Sequence, residues 1–245
     1  MSPRRPRRPG ALVLAGLALL AAGCESTQSR SAKLERTGGK AFEQEGLAVK
    51  RQSGDLKILS KAVLSDRNGA AVVAVVRNTT KRPLARVPVA IDVADARKRS
   101  VFRNDDPGIE QSLAGLSLMR PGETIAWVHD QVLAVGPVKR VSVKAGDARD
   151  KPPRELPKIE VGKAKLVSDP TSGVAAEGKV RNRSEVLQKD LVIFGVAFKG
   201  GRVVAAGRSQ VERLKPGRAA TYQIFFIGNP RGARIQLAAP PTVLG

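Results

Sequence analysis

The chain has 245 residues, 42% of them hydrophobic, with 43 Lys and Arg against 22 Asp and Glu, for a formal net charge of +21. That is enough apolar material for one or two packed domains, which excludes wholesale disorder. One Cys and one His exclude an internal disulfide framework, a Cys-rich zinc site and a His-based metal cluster, and leave one imidazole for acid–base work. In chain order, the first element is an address. Residues 1–23 read as a secretory signal peptide: Arg4, Arg5, Arg7 and Arg8 form a basic start, and the run from Ala11 to Ala22 is apolar. That run is about a dozen residues, against the roughly 20 needed to span a bilayer as a helix. The Pro after each Arg pair favours the general secretion route over twin-arginine export.

The run ends Leu19-Leu20-Ala21-Ala22-Gly23-Cys24. This resembles the bacterial lipobox, in which small residues before a Cys admit the backbone to a signal protease. The thiol then takes a diacylglyceryl group as a thioether. The resemblance implies lipidation at Cys24 and an exported protein held at the outer face of a bacterial membrane, where two or three acyl chains anchor stably. Loss of residues 1–23 removes four Arg and no acid from the +21, so the mature chain stays near +17.

Residues 24–45, rich in Ser, Thr, Gln, Lys, Glu and Gly, show no apolar period and read as a flexible tether. A second polar, Pro-rich break at 147–157 separates two segments, 46–146 and 158–245, each about the size of an immunoglobulin-like sandwich. The segments resemble each other in order. Leu64-Ser65-Asp66 matches Val167-Ser168-Asp169, Val76-Arg77-Asn78 matches Val180-Arg181-Asn182, and Arg120-Pro121-Gly122 matches Lys215-Pro216-Gly217. Trp127 falls opposite Tyr222, and Arg140-Val141 opposite Arg234-Ile235. Five ordered matches argue for a duplicated unit whose first copy carries a longer middle loop.

Each segment reads as strands. Ala70 to Val76 is a short apolar run, and Val87, Val89, Ile91 and Val93 alternate with smaller or polar neighbours. Leu191 to Phe198 is continuously apolar, as a central sandwich strand can be, and Lys199-Gly200-Gly201-Arg202 supplies a hairpin turn. Thr221 to Ile227 is a strong strand, expected to be central, with Tyr222, Ile224 and Phe226 on the core face and Phe225 outside. Its apolar density predicts that the second segment is the better packed. The fold expected is all-β, with two tandem immunoglobulin-like β-sandwich domains after the signal and tether.

The strands ending in Asn78 and Asn182, the alternating strand that follows each, and the Pro-Gly turn before an aromatic strand resemble the FxLYD family. These are small immunoglobulin-like domains of bacterial envelope proteins. The eponymous motif is degenerate at Ile91-Asp92-Val93-Ala94-Asp95 and at Phe194-Gly195-Val196-Ala197-Phe198, so the resemblance implies the fold and brings no site residue.

Candidate chemistry is sparse. His129 and Asp130 are adjacent on a strand, so they point to opposite faces, and His129 reads as a surface residue rather than a base. Asn104-Asp105-Asp106-Pro107-Gly108-Ile109-Glu110 offers oxygens to a cation but lacks the spacing of a calcium loop, and reads as a polar turn in which Asp and Asn cap backbone amides. Asn78-Thr79-Thr80 and Asn182-Arg183-Ser184 fit a glycosylation triplet, but their equivalent places point to an Asn and a hydroxyl closing the same turn. No catalytic residue, metal ligand or cofactor site is assigned, and the chain reads as a non-enzyme.

Cations are spread over the chain, with no aromatic platforms among them. That suits an anionic wall polymer or headgroup and disfavours nucleic acid. The function expected is non-catalytic binding or structural work at the cell envelope, in contact with anionic envelope polymers. The alternative is an accessory subunit that docks on an envelope protein through a sheet edge.

Overall fold

A computed structural model describes residues 49–105, 114–134, 137–169 and 173–244. Cys24, the signal and the tether lie outside these residues, as does most of the acidic loop after Asp105. The described residues are all-β. The first half holds β1 (Leu56–Asp66), β2 (Gly69–Asn78), β3 (Leu84–Ala94), β4 (Ser100–Arg103), β5 (Gly115–Met119), β6 (Thr124–His129) and β7 (Arg140–Ala145). The second holds β8 (Ile159–Val161), β9 (Lys165–Asp169), β10 (Gly173–Asn182), β11 (Gln188–Lys199), β12 (Arg202–Leu214), β13 (Ala219–Phe225), β14 (Ile227–Gly228) and β15 (Arg234–Ala238). Every ladder between named strands is antiparallel and stays within its half.

In the first half, the β1-β2-β6 sheet faces a sheet in which β3 carries β4 and β5 along one edge and β7 on the other. In the second, β8, β9 and β13 surround β10, and this sheet faces the order β14-β12-β11-β15. Each half is a β-sandwich, as its alternating residues dictate. On β3, Val87, Val89, Ile91 and Val93 point inward; beyond β13, Phe226 joins Tyr222 and Ile224 inside while Phe225 is 41% exposed.

The ladders of the two halves repeat. Val72↔His129, Ala74↔Trp127 and Val76↔Ile125 recur as Ala176↔Ile224, Gly178↔Tyr222 and Val180↔Ala220. Ile91↔Val143 and Val93↔Val141 recur as Gly195↔Leu237 and Ala197↔Ile235. Even an uncommon backbone state recurs: Arg86 and Asp190, at matching places on β3 and β11, have φ of 49° and 50°. The halves differ in the middle. The long β12 of the second half corresponds to β4 and β5 of the first, split by the loop that begins at Asn104.

The described residues form one compact unit because the sandwiches are stacked. The outer face of the β1-β2-β6 sheet (Ala71, Val73, Ala126, Val128) meets that of the β11-β12 sheet (Val192, Phe194, Val196, Ala206), and one buried apolar cluster runs through the first core and this joint. β6 touches β11, β12 and β15 of the facing sheet. This explains why β2 and β11 are apolar on both faces: one face packs in its own sandwich and the other in the joint. The second sandwich's interior, from Val180 to Phe226, is a separate cluster.

Three expectations change. β13 pairs with β10 alone, so it is an edge strand and not a central one. The break at 147–157 is not a free connector where it leaves β7: Arg149 and Asp150 donate their N–H groups to the Arg86 and Ala85 carbonyls, and Arg86 pairs with Asp150 at 2.7 Å. His129 is 1% exposed and sits inside the first sandwich, because the partner of Val72 on this ladder faces the core.

Candidate functional site

His129 is held by aromatic neighbours. Its ring lies 5.4 Å from Phe102 of the facing sheet and 6.0 Å from Trp127, two residues back on its own face. Asp130 points the other way, as alternation requires, and crosses the joint. Its carboxylate accepts from Arg208 Nε at 2.7 Å and from the Arg208 backbone N–H at 3.0 Å, with the two side chains 18% and 6% exposed. A second crossing bond runs from the Gly228 N–H to Asp66 at 2.7 Å. His129 and Asp130 therefore form no catalytic pair. The imidazole is core packing, and the carboxylate anchors the second sandwich on the first.

The two Asn triplets close equivalent turns. Asn78 Nδ2 donates to the Arg82 and Arg120 carbonyls at 2.8 and 3.0 Å, and its Oδ1 accepts from the Thr80 N–H and hydroxyl. Asn182 Nδ2 donates to Val186 and Leu214 at 2.8 and 3.1 Å, and its Oδ1 accepts from the Ser184 N–H and hydroxyl. Both Asn are fully buried, so neither is available to a glycan. The Pro-Gly turns beside them also match. Glu123 and Arg218 donate their N–H groups back to Arg120 and Lys215, and Gly122 and Gly217 have φ of 68° and 67°, a type II turn in each half.

Of the acidic run at 104–110, only Asn104 and Asp105 are among the described residues. Asn104 is fully buried, accepts from Ile91 N–H at 2.7 Å and donates to the Val89 carbonyl at 2.8 Å. Its amide thus fills the stretch of β3 edge between β4 and β5. Asp105 pairs with Arg103. Among the described residues no group of three or more His, Cys, Asp or Glu is placed to hold a metal ion, and no helix is long and apolar enough to cross a membrane.

The charge has a pattern that residue counts do not show. Among the described residues every salt bridge uses an arginine: Arg51–Asp147, Arg82–Asp55, Arg86–Asp150, Arg99–Asp95, Arg103–Asp105, Arg183–Glu160 and Arg208–Asp130. The Arg99 N–H, foremost among the groups that bond Asp95, holds that carboxyl below its ordinary range, and Arg183 does the same for Glu160. No lysine joins an ion pair among these residues. Seven of the described acids are thus held by arginines, and no lysine shares in those pairs.

The concave places are shallow. A cleft of about 280 Å³ between the halves is lined by Arg120, Glu123, Ile125, Val161 and Leu237, and one of about 450 Å³ by Arg86, Ser117, Asp150, Lys151 and Val243. In the second, the Asp150 carboxylate is taken up by Arg86 at 2.7 Å.

No family model and no curated protein matches the chain. Among solved structures, a match to the exo-chitosanase CsxA of Amycolatopsis orientalis has 11% identity and a TM-score of 0.25, over 76% of this chain. The chain matches 25% of the length of that enzyme.

Proposed function

We propose that the chain is an exported lipoprotein, anchored through Cys24 to the outer face of a bacterial membrane. Its two immunoglobulin-like sandwiches, of FxLYD type, do non-catalytic binding or structural work, with the cationic surface in contact with anionic envelope polymers. The observation that carries this reading is the division of charge: every ion pair among the described residues is made by an arginine, and no lysine joins one. Mobile ammonium groups suit a partner with many anionic sites and little fixed shape.

Retention of the mature chain on phosphate-bearing wall polymer should fall steeply between low and high salt. Salt-independent retention sinks the polymer reading. The anchor is tested separately. Cys24→Ser should release the protein from membranes or leave the precursor uncut, and a mutant that stays membrane-bound with its signal removed rules the anchor out. The second reading, an accessory subunit that adds to a partner's sheet, is favoured by β13, a seven-residue edge strand without Lys, Arg, Asp, Glu or Pro. Binding of that kind would persist in salt.

A further inference from the structure

Val49, the first described residue, lies on the outer face of the β3–β7 sheet. It lines a trough of about 180 Å³ with Ala90, Asp92, Arg103, Ser142 and Lys144, and its side chain packs beside Gly146, 3.2 Å from where a Cβ would stand. The chain that begins at Cys24 therefore enters the fold on this face. Between the two lie 24 residues, which reach at most roughly 80 Å even at full extension.

The matching face of the second sandwich presents Val192, Phe194 and Val196, and the first sandwich covers it. In the first sandwich the matching positions are Pro88, Ala90 and Asp92, a flat floor of small residues that no strand among the described residues covers. Arg140, Ser142 and Lys144 stand exposed along β7 beside that floor. Arg140 and Lys144 have no ion pair among the described residues, while Ser100 Oγ holds Asp92 at 2.7 Å and Arg103 holds Asp105. Asp105 is paired with Arg103, Asp92 keeps its charge, and the two β7 cations outnumber it.

We propose that this face lies against anionic headgroups of the membrane that carries the anchor. The inference rests on the anchored-lipoprotein reading and adds a second, electrostatic attachment to it. One anchoring signal combined with a basic patch holds a protein more firmly and fixes its orientation. Here the face nearest the chain's entry would lie down on the bilayer and leave the β8-β9-β10-β13 sheet, at the far end of the stack, turned outward. The commitment is to lipid headgroups because the cations flank the place where the tether enters, where the membrane is nearest. The same charges elsewhere would favour a wall polymer equally.

The test uses residues 24–245 with Cys24→Ser, so that no acyl chain contributes, sedimented with vesicles of phosphatidylcholine alone or with added phosphatidylglycerol. Binding is expected only to the vesicles containing phosphatidylglycerol. Arg140→Glu with Lys144→Glu should lower it about tenfold or more, since each cation near such a surface multiplies binding several-fold. Lys179→Glu with Arg181→Glu, on the far sheet, should leave it unchanged. Arg140→Gln with Lys144→Gln gives an intermediate loss, and a thermal melt of each variant verifies folding. Equal binding to both vesicles overturns the proposal, as does an equal loss from the far-sheet reversal. Binding to soluble polyphosphate without binding to vesicles also overturns it and assigns the cations to a wall polymer. An unacylated Cys24 in the native protein, seen by mass, sinks the anchor reading without altering the vesicle result.

Discussion

Asn78 and Asn182 each satisfy two carbonyls, one N–H and one hydroxyl with a single buried amide. Asn78→Ala or Asn182→Ala strands those groups, so each should cost about 2–3 kcal/mol in denaturant melts. A loss under about 0.5 kcal/mol would mean water replaces the amide and the turn does not depend on it. Phe226→Ala should cost about 3–5 kcal/mol and Phe225→Ala clearly less, because one ring is 2% exposed and the other 41%. Tyr222 is buried with its hydroxyl donating to the Gly162 carbonyl at 3.2 Å, and burial raises its pKa above the ordinary 10. The folded state therefore keeps the phenol neutral after the unfolded chain has ionised. Its contribution to stability is full below about pH 10 and is lost as pH climbs toward the raised folded value. A Tyr222→Phe variant should show a shallower decline across that alkaline range. These residue-scale features were partly legible in the sequence: two Asn at equivalent places, each followed by a hydroxyl, announce a turn. His129 was not legible, because alternation separates it from Asp130 without saying which face is core, and a polar ring beside an acid favours the wrong choice.

At the scale of the strand, the repeated positive φ at Arg86 and Asp190 marks a twist that both β3 and β11 keep. A β-branched residue there is strained, so Asp190→Val should cost about 1–2 kcal/mol, while Asp190→Gly should be near neutral in the same melts. Gly207 on β12 has a different reason to be glycine: a Cβ would be driven into the Phe225 carbonyl oxygen at the end of β13. Gly207→Ala should therefore destabilise far more than Gly200→Ala, at an open hairpin tip with nothing within 4 Å. Strand existence was readable from period-2 patterning and Gly turns, and so were the faces of β3 and of the β13 segment. Edge or central rank was not, because side-chain alternation is silent about which backbone lies alongside. The continuous runs of β2 and β11 announced burial on two faces without naming what covers the second. Asn104, completing a sheet edge with its side chain, leaves no sequence signal distinct from an ordinary turn Asn.

At the scale of the molecule, the joint makes the halves interdependent. Val73, Val128, Phe194 and Val196 are buried in it, and Asp130–Arg208 is sheltered by it. The whole chain should melt in one transition, and residues 46–146 or 158–245 alone should melt lower or aggregate. Two separate transitions at the temperatures of the isolated halves would rule that out. Arg208→Ala leaves the Asp130 carboxylate in the joint without its guanidinium partner and should cost about 3–5 kcal/mol. The joint has a direction: the β1-β2-β6 face of one copy meets the face of the other copy that corresponds to β3–β7. A directional joint between similar bodies adds a third body as readily as a second, as a filament grows, unless the ends refuse it. They do refuse it. Where the first copy has Val73, Val75 and Val128, the second has Glu177, Lys179 and Gln223 on its outward face, and the opposite end offers Pro88, Ala90 and Asp92 in place of Val192, Phe194 and Val196. Glu177→Val, Lys179→Val and Gln223→Val together, in residues 24–245 with Cys24→Ser, should add a concentration-dependent self-association in sedimentation that the parent sequence lacks. On that expectation, three polar side chains on one end sheet are a stop signal against polymerisation that keeps the stack to the two bodies of one chain.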